Sequence, residues 1–111
     1  MMEIKEEDWV LAKLKFEKIF GGGIEMDGIL FLIGVQELGQ GFRTFEKDEK
    51  MNLMHIAVCR LLEPYNYYQF SHRDEQGWPH YHQNDDLPGL SKKEQDLLLK
   101  QAVITYSCTE L

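Results

Sequence analysis

Asp27–Gly39, DGILFLIGVQELG, holds the longest unbroken apolar run of the chain, Ile29 to Val35. Such a run suits a fully buried strand or a buried helix, and periodicity does not separate the two. The flanks favour a helix. Asp27 can cap its N-terminus by accepting from the free backbone N–H groups of the first turn. Gly39 stands where a left-handed C-terminal residue is expected. Phe31, Val35 and Leu38 share one stripe, and Leu30 and Ile33 broaden it, so the helix belongs in a core. Gly34 costs an isolated helix about 1 kcal/mol relative to alanine, but it lets a neighbouring helix approach closely. Gln36 and Glu37 lie toward the exit of the core.

Upstream, Trp9, Ala12, Phe16, Ile19 and Phe20 recur at helical spacing, widened by Val10 and Leu14, and predict a helix over 6–20. Glu6, Glu7 and Asp8 suit the positive end of its dipole. Gly21-Gly22-Gly23 ends it. No Lys-Ser/Thr follows the glycines and no clear strand precedes them, so a phosphate-binding loop is not indicated. Downstream, Gln40 to Glu46 is a connection whose Phe42 and Phe45 are expected to tuck over the core. A third helix is predicted from Lys47 or Asp48 to Leu62, with Met51, Met54, Val58 and Leu61 as its stripe and Ala57 and Leu62 beside it. Pro64 ends it.

The segment from Tyr65 to Leu90 changes character. Tyr67-Tyr68-Gln69-Phe70 and Trp78-Pro79-His80-Tyr81-His82 flank a polar stretch, which reads as a β-hairpin, with an aromatic loop as the other possibility. Pro79 would confine its strand to an edge or interrupt it. The last helix starts at a capping box, Ser91-Lys92-Lys93-Glu94, after Pro88-Gly89. Leu98, Ala102 and Thr105 form one line on it, Leu99, Val103 and Tyr106 another, and its tail after Tyr106 is expected to fray. The expected fold is mainly α: a single domain over 1–111, a compact bundle of about four helices with a small β-hairpin or aromatic loop between the third and fourth.

The chain has 111 residues, with 19 acidic and 12 basic side chains and a net charge of −7. That balance argues against nucleic acid and against an anionic membrane surface as partners. No apolar stretch approaches the ~20 residues that span a bilayer. The acidic N-terminus is unlike a secretory signal, which leaves the cytoplasm as the expected compartment. Cys59 and Cys108 form no framework pattern, and Cys59 reads as a buried thiol.

Four constellations bear on chemistry. His72, His80 and His82 could gather on one side of a hairpin, with Asp74, Asp85 and Asp86 nearby, as a site for zinc or another divalent ion. The competing and more frequent reading is a polar hairpin with exposed imidazoles. Glu37 and His55 could meet between two antiparallel helices, but the Glu-x-x-His motif of di-iron bundles is absent. Cys59 has His55 one turn before it, yet no orienting third group or oxyanion site is identifiable, so burial is the better reading. The aromatics of the hairpin segment either pin it to the helices or form a docking surface.

The run KFEKIFGGGIEMDGILFLIGVQELGQGF, continued by DEKMNLMHIAVCRLLEPYNYY and GWPHY, resembles an uncharacterised family of small bacterial proteins. The resemblance covers Lys15 to about Tyr81 and implies one conserved-type domain. It brings no activity, cofactor or catalytic residue. The expected function is therefore non-catalytic: a cytoplasmic protein-interaction or accessory domain without a cofactor, binding a protein partner or itself. Its surface would involve Tyr67, Tyr68, Phe70, Trp78 and Tyr81. The alternative is a metal- or small-ligand-binding protein, enzymatic or not, using His72, His80 and His82.

Overall fold

A computed structural model describes residues 4–84 and 89–111. The elements run α1 (Glu6–Phe20), α2 (Met26–Leu38), α3 (Lys47–Leu62), a 3-10 turn (Glu63–Tyr65), β1 (Tyr68–Arg73), β2 (Pro79–Gln83) and α4 (Lys92–Glu110). The fold is thus mainly α, with an antiparallel hairpin between the third and fourth helices, as the sequence predicts. No helix among the described residues is long and apolar enough to cross a membrane. The chain divides into two compact units, 25–85 and 1–24 with 86–111.

In the unit of residues 25–85, α2 buries Ile29, Leu30, Leu32, Ile33, Gly34, Val35 and Leu38. Each large apolar side chain contributes about 2 kcal/mol on burial. That sum outweighs the glycine penalty at position 34. The N-cap is Glu25 rather than Asp27, which lies in the first turn, because the helix begins at Met26. Gly39 closes the helix in the left-handed conformation (φ 74°), its N–H bonded to the Val35 carbonyl. Gly34 packs directly on α3. A Cβ there would overlap the Leu53 carbonyl oxygen and stand 2.6 Å from the carbonyl carbon and 2.9 Å from Leu53 Cβ.

This close approach sets the rotation of α3. Its buried residues are Leu53, Ile56, Ala57, Cys59 and Leu61, while Met51 is 62% exposed. Of the expected stripe, Met51 is thus turned away from the core and Met54 and Val58 are only half-buried, whereas Leu61 and the flanking Ala57 are buried as expected. At the start of α3 the Glu49 carboxylate accepts from the Glu46 N–H (2.9 Å), holding a free donor of the first turn. In the preceding connection the two phenylalanines part company. Phe45 is buried and meets Phe31 edge-on at 5.9 Å, whereas Phe42 is 67% exposed instead of tucked over the core.

The other unit pairs α1 with α4. Ala12 and Phe16 of α1 are buried, as are Leu98, Ala102, Val103, Tyr106 and Ser107 of α4. The Lys15 ammonium donates to the Ser107 carbonyl (3.0 Å), and Lys100 lies over the Trp9 ring. The capping box forms as read: Glu94 N–H donates to Ser91 Oγ, and Ser91 N–H to the Glu94 carboxylate. Helix α4 continues to Glu110 rather than fraying after Tyr106, because Tyr106 and Ser107 are buried. The triple glycine after α1 is left-handed at all three positions. The Glu17 carboxylate accepts from the Gly23 N–H (3.1 Å), so the protein itself occupies a donor that a phosphate would need. Much of the apolar surface expected to be buried on α1 is not: Val10, Leu14, Ile19 and Phe20 are 45 to 54% exposed.

Candidate functional site

The hairpin is held down before it is available for binding. Its register pairs Tyr68 with Gln83, Gln69 with His82, Phe70 with Tyr81, His72 with His80 and Arg73 with Pro79, with an irregularity at Ser71. Pro79 opens its strand in a two-stranded sheet, where a missing N–H is tolerated. Asp74 organises the turn. Its Oδ1 accepts from the N–H groups of Gln76 (3.0 Å) and Trp78 (2.9 Å). Arg73 then ties the hairpin to the end of α2, donating to the carbonyls of Glu37 (2.8 Å), Leu38 (3.5 Å) and Gly77 (2.8 Å). Helix α2 has no basic residue in its own last turn, so Arg73 supplies the positive charge that the helix C-terminus favours.

The aromatics divide between support and surface. Trp78 is half-buried against Val35, Leu38, Phe45 and Leu53. Tyr68 is half-buried and meets His55 edge-on at 6.2 Å. Tyr67 is half-buried, and its carbonyl accepts from Asn84 N–H (3.1 Å). Phe70 alone of the five is largely in water, 44% exposed, and stands edge-on to Tyr81 at 5.7 Å.

Tyr81 is half-buried near Glu37, Glu63 and Arg60. Burial pushes its phenol up to about 12; the Glu37 and Glu63 carboxylates add to that, and Arg60 opposes it. Burial also raises the Tyr68 phenol. In an ultraviolet titration one phenol will therefore ionise near pH 12, and Tyr81→Phe will remove it. The free phenol titrates near 10, so the unfolded chain loses this proton first. Stability is accordingly expected to fall as pH rises from about 10 through 12. The Tyr81→Phe variant should lose less over that window.

The histidines come together in part. His72 and His80 stack at 4.9 Å with ring planes 7° apart. His80 Nε2 lies 2.9 Å from Asp74 Oδ2, and His72 Nδ1 lies 2.9 Å from Ser71 Oγ. The His80 contact, then the Trp78 and Gln76 N–H groups, hold the Asp74 carboxyl below the usual carboxylate range. His82 is exposed opposite Gln69. Asp85 and Asp86 lie outside the described residues, as does Pro88. Among the described residues no group of three His, Cys, Asp or Glu side chains could hold a metal ion.

His80 and Asp74 border a cleft of about 410 Å³ whose lining also includes Glu49, Asn52, His55 and Trp78. That size and mix of an aromatic wall with convergent polar groups suit a small polar molecule. Asp74 orients the His80 ring, which makes His80 a fixed hydrogen-bonding group at the cleft. Sequence reasoning named His80 and Asp74 but missed Glu49, Asn52 and Gln76, whose polar side chains carry no motif.

The remaining two constellations resolve structurally. Glu37 meets Arg60 (3.4 Å), and His55 is exposed, with Nε2 3.5 Å from Cys59 Sγ. His55 is thus turned outward and does not meet Glu37, consistent with the rotation of α3. Both cysteines are free, and burial pushes the Cys59 thiol up to about 11, which disfavours the nucleophilic thiolate.

Comparison of the chain with protein-family models, with curated proteins and with solved structures finds no significant match.

Proposed function

We propose that the protein is a non-catalytic interaction or accessory domain of the cytoplasm, and that the exposed side of its hairpin receives the partner. One observation carries this reading. Phe70 stands 44% exposed on a strand whose neighbours are fixed by Arg73, Trp78 and the Asp74 turn. A large apolar ring on an immobilised base loses little conformational freedom on binding, which favours its use as an anchor. The Glu63 carboxylate accepts from the Phe70 N–H (2.8 Å), so negative charge borders the ring. A partner offering an apolar side chain beside a cationic one fits this chemistry.

The test is co-purification of an identified partner, repeated with both proteins purified. Phe70→Ser should weaken that complex at least tenfold while the circular dichroism spectrum persists and the melting midpoint falls by only several degrees, through the loss of the Phe70–Tyr81 contact. A complex indifferent to Phe70→Ser defeats the assignment of this surface.

A second reading has its own observation, the cleft bordered by the His80–Asp74 pair. Here the protein binds a small polar molecule. Ligand-induced shifts in the Trp78 indole and His80 ring resonances would report it. They should vanish in His80→Ala and survive in Phe70→Ser. A fragment screen that moves neither resonance argues against it.

A further inference from the structure

Helix α1 is apolar on two sides. One side buries Ala12 and Phe16. The other leaves Val10, Leu11 and Leu14 exposed at 45, 60 and 46%. Exposed leucines in adjacent turns form a patch that water disfavours. Glu7 and Lys18, both exposed, lie on the same side at the two ends of this patch. The order Glu7, Leu11, Leu14, Lys18 advances by four, three and four residues, the alternation of a coiled-coil seam.

This seam is its own complement. A two-fold axis crossing the helix between Ala12 and Lys13 sets Leu11 of one copy against Leu14 of the other. The same axis places Glu7 against Lys18 of the other copy, twice over. Antiparallel pairing also opposes the two helix dipoles. A parallel pairing would set glutamate against glutamate and lysine against lysine. We propose that α1 is a self-association surface and that its occupant is a second copy of this chain, docked antiparallel on Glu7, Leu11, Leu14 and Lys18. This surface is separate from the hairpin, and the proposal does not depend on the partner assigned there.

Each copy brings only three half-exposed apolar side chains, far short of the ~800 Å² per partner of a standard interface. The dimer is therefore weak and concentration-dependent, with its orientation set by charge. Symmetry doubles the effect of every substitution. Glu7→Lys creates two lysine–lysine oppositions, and Lys18→Glu creates two between glutamates.

Sedimentation equilibrium over a wide concentration range is the test. The full chain should show a monomer–dimer equilibrium that weakens in high salt. Each single charge reversal should weaken it roughly tenfold or more, since two attractive pairs become two repulsive ones. The double variant Glu7→Lys with Lys18→Glu should restore the equilibrium. Mixing the two single variants should give a heterodimer that neither forms alone. Circular dichroism of each variant confirms that the helices persist. A wild-type chain that stays monomeric at about millimolar concentration overturns the proposal. So does a dimer that ignores both reversals, and if that dimer is lost in Phe70→Ser the hairpin is the self-association surface instead.

Discussion

Gly34→Ala is expected to lower stability by about 3 kcal/mol, although alanine is the better helix former by about 1 kcal/mol. The sign follows from what the added methyl meets. It would overlap the Leu53 carbonyl oxygen and stand 2.6 Å from the carbonyl carbon. These are backbone atoms within α3, so no side-chain rotation relieves the contact. The whole of α3 must move away from α2. Separation would loosen the cluster of Val35, Leu38, Phe45 and Leu53, where native density leaves no slack. For a domain of this size the loss corresponds to a melting midpoint lower by more than about 10 °C. Thermal unfolding followed by circular dichroism checks it. A midpoint equal to or above that of the native chain would show that the two helices are not locked at this glycine.

Trp78→Ala is expected to cost about 2–3 kcal/mol, less than the 3–5 kcal/mol of a fully buried large aromatic because the indole is half-exposed. Its inner part covers Val35, Leu38, Phe45 and Leu53, and truncation opens that cluster to water. The hairpin should loosen with it, since the indole seats the start of its second strand on this cluster, whereas the backbone N–H that Trp78 donates to Asp74 is kept in the variant. Urea unfolding of Trp78→Ala and Trp78→Phe, both read by circular dichroism, measures the effect. Phenylalanine should recover more than half of it. Were Trp78→Ala as stable as the native chain, the indole would be a surface group and a candidate contact for a partner. For this reason Phe70, and not Trp78, is the informative change in a binding experiment.

The elements of the fold were legible because their boundaries carry local chemistry. Three glycines stop α1, Gly39 stops α2, Pro64 follows α3, and Ser91 with Glu94 starts α4. The phase of α3 was not legible. Met51 and Leu53 are comparably apolar, and only the contact between Gly34 and Leu53 decides which faces inward. Phe42 and Phe45 differ for a similar reason, since burial depends on where the connection places each ring. The His72–His80 pairing follows from a hairpin register that two-residue alternation suggested, although the irregularity at Ser71 displaces the simple count. Arg73 was invisible as a tie because its acceptors are carbonyls thirty-five and thirty-six residues earlier, and carbonyls leave no trace in a sequence.

The division of the chain also orders events during synthesis. Residues 25–85 leave the ribosome as one continuous stretch, so that unit has all its segments as soon as it is made. Helix α1 emerges earlier and finds α4 only after that stretch is complete, with Lys15 and Ser107 separated by 92 positions. At about 5–20 residues per second the delay is of the order of several seconds, far longer than helix formation itself. Throughout it, the side of α1 that carries Ala12 and Phe16 has yet to meet α4. A nascent chain stalled in this interval is the form of the protein that a chaperone would meet.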